Sequence, residues 1–141
     1  MIEMIRRRDG TQKTLDEWRG RRFDWDSRAS GTCAHLLAAH MRNMGHNPPE
    51  VPAFDSIRGA VKALKSLGWG NLEQMLDDLL PRRQSIAFMR LGDVALGPGD
   101  GPLDAVFICA GPLKVFGWHE TRDDLVIMDV ALNNIIGAWA A

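Results

Sequence analysis

Cysteine is scarce in this 141-residue chain: there are two, Cys33 and Cys109, too few for a disulfide framework. Their contexts differ as well. Cys33 opens a helical pattern, whereas Cys109 lies in the apolar run Ala105–Ala110 and reads as a buried strand residue, so no bridge is expected. No CxxC occurs, and His35 and His40 are five residues apart, roughly 140° around a helix, so they do not form the i, i+4 pair of a zinc site. No metal is expected. The formal net charge of −1 gives no general electrostatic case for nucleic acid or an anionic membrane. The short run Arg6-Arg7-Arg8 reads as a solvated end. No apolar stretch is long enough to cross a membrane. The arginines are not followed by the apolar core of a signal peptide, which predicts synthesis in the cytoplasm. Gly97-Pro98-Gly99-Asp100-Gly101 is glycine-rich, but it joins two strands and lacks the Lys and helix of a phosphate loop, so no nucleotide cofactor is expected.

What remains is an ordinary apolar content of 45% with 25% charge, enough for one domain with one core. The chain divides into a helical half and a strand half. Thr14-Leu15-Asp16-Glu17 has the form of a capping box, predicting a short helix through Trp18 that stops near Gly20, after an extension over residues 1–13. A helix opened near Cys33 is predicted to run to about Met44, with Gly45 as its C-terminal cap and Pro48-Pro49 beyond. Asp55 or Ser56 caps a helix with Ile57, Ala60, Val61, Leu64 and Leu67 on one face. Asn71 caps another, with Leu72, Met75, Leu76 and Leu79 inward and Pro81 as the stop.

After Pro81, short runs rich in β-branched and aromatic residues alternate with Gly, Pro and Asp clusters. Strands are predicted near Asp93–Leu96, Ala105–Ala110, Leu113–Gly117 and Leu125–Asp129, with a further one near Ile135–Trp139. Gly111-Pro112 marks a tight turn, so the second and third strands form a hairpin. Helices first and strands later predict an α+β fold with an antiparallel sheet. A helical insert occupies about residues 55–80.

The stretch Phe23-Asp24-Trp25-Asp26-Ser27-Arg28-Ala29-Ser30-Gly31-Thr32-Cys33 carries the candidate chemistry. Ser27, Ser30 and Thr32 are all good N-cap residues, which places Cys33 in a first helical turn. Free N–H groups and the positive end of the dipole stabilise a thiolate there, although a small buried Cys also packs at such a position. A Cys nucleophile needs an imidazole base. His35 points to a different helix face, His40 is about two turns away, and His46 reads as a surface loop residue. His119 remains, in the strand half, either as a base oriented by Asp123 or Asp124 or as a plain turn histidine. The five tryptophans are scattered and read as core or interface anchors.

These features resemble the NlpC-type domains, papain-like cysteine peptidases of bacterial cell walls with a Cys-bearing helix packed on a small antiparallel sheet. Phe23-Asp24-Trp25, the polar loop and the Cys33 helix match their start, Leu91-Gly92-Asp93-Val94-Ala95-Leu96 their Gly-Asp-apolar strand, and Val106–Gly111 the strand that follows. The likeness is closer to an uncharacterised branch encoded in phage and prophage tail-gene clusters, in which a C-terminal Ala-Trp segment, here Gly137-Ala138-Trp139, also recurs. It covers about residues 14–141. Three departures accompany it. Thr32 stands where the active peptidases carry Asp. The position of their catalytic His falls on Ala105 or Asp104. His119 aligns only loosely with their third polar residue.

The resemblance therefore implies a peptidase fold with an incomplete catalytic set. The expected function is that of a virion structural component at the distal tip or baseplate of a phage tail, made in the host cytoplasm. It would contact other tail proteins in a ring of repeated copies, with host peptidoglycan as a further partner. Phe23, Trp25, Thr32, Asp93 and Trp118 are the expected binding residues, and Trp118, Trp139 and the 97–102 loop the expected interface. Two alternatives are a peptidoglycan endopeptidase with Cys33 as nucleophile and His119 as base, and a non-catalytic module that holds cell-wall peptide or glycan.

Overall fold

The apolar runs of the second half pair into one antiparallel sheet of order β4-β3-β2-β1-β5. Its strands are β1 (Val94–Gly97), β2 (Ala105–Gly111), β3 (Lys114–Gly117), β4 (Val126–Asp129) and β5 (Gly137–Trp139). The computed structural model describes residues 2–24, 32–50, 52–99, 103–118, 124–130 and 134–141. Four α-helices are present among them: α1 (Ile2–Trp18), α2 (Cys33–Asn43), α3 (Ile57–Ser66) and α4 (Leu72–Leu79). The architecture is α+β, as the order of helical and strand patterns predicts.

Register separates the two faces of the sheet. Val94 lies opposite both Ile108 and Trp139, and Ile108 opposite Phe116. These side chains share the main core with Leu36, Leu37, Met41, Leu64 and Leu76 from the helices. The alternate residues Ala95, Phe107 and Val115 are equally buried on the other face, under Met89, Met128, Val130 and Ile135. Burial on both faces explains why the strands read as continuous apolar runs.

The helix caps follow local chemistry. Thr32, Ser56 and Asn71 each accept a hydrogen bond from the backbone N–H three residues on, as N-cap side chains do. Gly45, at φ +91°, follows α2 in the left-handed conformation that glycine adopts without cost. α3 and α4 lie where the sequence predicts two helices.

The N-terminus departs from expectation. The first helix does not start at Thr14: α1 is continuous from Ile2 to Trp18. Thr14 is not a cap but a buried interior residue. Local pattern failed here because tertiary contacts hold the helix. Gly10 brings α1 so close to the end of α2 that a Cβ there would lie 2.8 Å from the Asn43 carbonyl oxygen. The arginine run is not a solvated end either. Arg6 reaches the Met44 carbonyl, and the Ala141 carbonyl at 3.1 Å. Arg7 donates to the Leu91 carbonyl at 3.0 Å and to Asp93 Oδ1 at 2.9 Å. Arg8 alone of the three stays exposed, paired with Asp9.

The sheet consequently has two distinct ends. One gathers Gly97, Ala105, Gly117, Val126 and Gly137, and the other Val94, Gly111, Lys114, Asp129 and Trp139. α2 runs from the first end to the second.

Candidate functional site

Thr32 builds the start of α2. Its buried Oγ1 accepts from the His35 N–H at 3.3 Å and lies 2.6 Å from His35 Nδ1. The hydroxyl can donate to Nδ1 or accept from it, so either neutral tautomer of His35 makes this contact. The ring also leans on Phe54, with centroids 5.6 Å apart. His35 is thus occupied by the cap, and its basicity is lowered by burial and by the nearby Arg42 charge.

Cys33 follows at the first helical position, against the beginning of β2. The backbone N–H groups of Val106 and of Cys33 itself favour its ionised form, but burial outweighs them and pushes the thiol up to about 11. The expected helix-terminus thiolate is not what this position provides. A thiolate needs solvation, and two backbone donors do not replace the water that packing removes. Packing therefore favours the thiol over the thiolate at Cys33, which stays partly exposed.

The opening of β2 is where the NlpC resemblance requires an imidazole, and the residues there are Asp104 and Ala105. The Asp104 carboxyl is shifted upward by burial first and by the Glu73 charge second. A carboxyl so placed is a weaker base than an imidazole and does not replace it. None of the three described histidines engages the thiol. His35 serves the cap. The ring of His40 is completely buried between α1 and β1, with Nε2 2.7 Å from the Gly92 carbonyl and Nδ1 2.8 Å from Thr14 Oγ1. His46 lies past the far end of α2, with its Nε2 buried and unpartnered. His119, the expected base, and Trp25 lie outside the described residues, as does Asp123.

The other expected binding residues serve the fold. Asp93 has no exposed surface. Its Oδ1 accepts from Arg7 Nη1 (2.9 Å) and Arg83 Nη2 (3.1 Å), and its Oδ2 from Arg83 Nε (2.8 Å) and the Arg90 N–H (2.9 Å). Four donors leave nothing for a ligand. Sequence reasoning found Asp93 through the Gly-Asp pattern but missed Arg7 and Arg83, whose only signal is an unusual density of arginine.

Trp118 is buried rather than displayed. It packs edge-on against Trp18 and Phe23, at centroid distances of 5.9 and 5.3 Å, and its Nε1 donates to the Arg21 carbonyl at 2.9 Å. The Arg21 guanidinium lies over Trp18 at 4.4 Å. Trp139 is also fully buried, its Nε1 bonded to Asp77 at 2.8 Å and its ring covered by Arg82. The expectation that these tryptophans form an interface is corrected. Both rings are large enough to close a core, and each indole N–H finds an acceptor at its margin. Of the 97–102 loop, Pro98 and Gly99 are described and exposed.

Among the described residues no group of three or more His, Cys, Asp or Glu side chains could hold a metal ion, and no helix is long and apolar enough to cross a membrane. Residues 6–141 match the family model described as a domain of unknown function, DUF6950, and the chain belongs to that family. No curated protein matches it.

Proposed function

Starting from membership of a family whose function is unknown, we propose that this chain is a non-catalytic NlpC-like domain that serves as a structural component of a phage or phage-like tail. Its place is the distal tip or baseplate, and it works through contacts with other tail proteins. The single observation behind the non-catalytic reading is the company Cys33 keeps: partly buried at the start of α2, it has none of the described histidines against it. Packing against β2 pushes its thiol up to about 11. At the start of β2, Asp104 and Ala105 stand where a base is needed. General base assistance contributes about 10²–10⁴ in rate where it operates, and a protonated thiol without it is a poor nucleophile. The tail assignment draws on the sequence resemblance.

The test uses peptidoglycan fragments and the Cys33→Ala variant side by side. Neither wild type nor variant should release product from the γ-D-glutamyl-diamino acid bond, and both should enter tail particles equally. Cleavage that disappears in Cys33→Ala overturns this reading in favour of an endopeptidase. Fragment binding by an isolated monomer, without incorporation into tails, overturns it in favour of a cell-wall binding module.

A further inference from the structure

The most exposed apolar side chains gather at the end of the sheet remote from Cys33. Six of the eight large apolar residues exposed among the described residues belong to three elements that meet there. The first turns of α1 contribute Ile2 (84% exposed), Met4 (74%) and Ile5. The 3-10 turn Ile86–Phe88 contributes Ile86 and Phe88 (59%). The β2–β3 hairpin tip contributes Leu113 (78%).

Hydrogen bonds fix this convergence. Arg7 of α1 and Arg83 and Arg90 on either side of the 3-10 turn all bond Asp93. The Gly92 N–H bonds the Cys109 carbonyl, two residues before the end of β2 at Gly111. Arg6 ties α1 to Ala141, just past β5.

Leu113 breaks two local rules at once. It sits at φ +59°, a conformation that Gly or Asn adopts readily and Leu does not, and it turns its apolar side chain to solvent. Neither feature helps the isolated fold. Together they mark a side chain kept for contact.

We propose that this end of the sheet is a self-association surface on which a second copy of the chain docks end to end about a two-fold axis. Exposures of 42% to 84% over six large side chains leave several hundred Å² of apolar surface open at this end. With the polar residues around them, they can supply the ~800 Å² per partner of a standard interface. The surrounding charges are of both signs and paired within the chain, Arg8 with Asp9, Lys114 with Asp129, and Glu3 with Arg6 and Arg7. A two-fold axis can set such a rim against itself with opposite charges paired. An anionic lipid surface would instead select a rim of one sign. The docked pair leaves both Cys33 ends pointing outward. This inference rests on the exposed end alone and is independent of the tail assignment.

Sedimentation equilibrium from about 1 to about 100 µM tests it. The wild-type mass should rise from that of the 15.7 kDa chain toward twice that value. Leu113→Asn keeps a residue that tolerates the left-handed backbone while removing the apolar anchor. It should weaken dimerisation about tenfold or more and leave the monomer's melting midpoint equal or higher. Met4→Glu, on an exposed helical turn, should weaken the dimer similarly and gives the same reading if Leu113→Asn folds poorly. Cys33→Ala should leave the dimerisation constant unchanged, which separates this test from that of the function.

A wild type that stays monomeric throughout the range overturns the proposal. So does a dimer that neither variant weakens. A monomer that co-sediments with phosphatidylserine vesicles overturns it as well, and assigns the patch to a lipid surface.

Discussion

Replacing Asp93 by Asn should lower the stability of the fold by about 3–5 kcal/mol, the cost of breaking a buried ion pair from one side. The two residues have nearly the same shape, so the loss would come from charge and donor–acceptor matching, not from a cavity. Asp93 is fully buried, and Arg7 and Arg83 are 12% and 21% exposed. The carboxylate accepts four hydrogen bonds, and Asn can offer one oxygen and must turn an NH₂ group toward donors. Arg83 would then lack its counter-charge, and Arg7 would keep only the exposed Glu3. Because Arg7 of α1 and Arg83 and Arg90 of the 83–90 segment all bond this side chain, the variant should loosen α1, the 83–90 segment and the start of β1 together. For a chain of this size the thermal midpoint should fall by about 10 °C or more. A midpoint within about 2 °C of wild type would show that the clasp contributes little to stability.

The second large effect is acid sensitivity centred on His40. Burial pushes this imidazole down to about 4, with the Gly92 carbonyl pulling the other way. His46 and Arg7 nearby lower it further, and Asp93 raises it. The Gly92 carbonyl can only accept, so Nε2 carries the proton and Nδ1 faces the Thr14 hydroxyl at 2.8 Å, whose one proton also reaches the Gly10 carbonyl at 3.0 Å. In the unfolded chain the same group titrates near 6.5. Between those values the unfolded state binds more protons than the folded one, so stability rises with pH in that interval. The contribution of neutral His40 is therefore complete above about pH 6.5 and is lost as pH falls from there through about 4. The total is about 3 kcal/mol. Urea unfolding of wild type and His40→Gln at intervals from pH 4 to 7 isolates the term, because other carboxyl titrations are shared and cancel. The wild type should lose more stability on acidification than the variant does. Parallel profiles would mean that the ring is protonated within the fold at little cost.

These two networks were the least legible features in the sequence. The strands could be read because each is a short apolar run fenced by Gly, Pro or Asp, and β1 to β5 fall within a residue or two of the predicted ranges. The caps Thr32, Ser56 and Asn71 were legible for a similar reason: the hydrogen bond that starts each helix spans only three residues. Thr14 carries the same local signal and misled. Its hydroxyl bonds His40 on another helix, and the turns before it are held by Arg6 and Arg7 through contacts more than thirty residues away.

The candidate site was legible in placement but not in chemistry. Helical periodicity put Cys33 in a first turn, where the structure also puts it. Whether that thiol ionises depends on how completely α2 and β2 exclude water, which is a property of packing and leaves no mark on the local sequence. The tryptophans illustrate the same limit. Trp118 and Trp139 have composition and spacing compatible with either core or interface, and only their partners, Trp18 with Phe23 and Asp77 with Arg82, place them inside.

The central claim is that Cys33 has the position of a nucleophile without the ionisation of one. Its most direct test is the pH dependence of Cys33 alkylation in a Cys109→Ser background, which removes the second thiol. Alkylation should be slow at neutral pH and rise only toward a midpoint of about 11. A midpoint well below the free-cysteine value of about 8.5, abolished by His119→Ala, would contradict it and establish a working Cys–His pair.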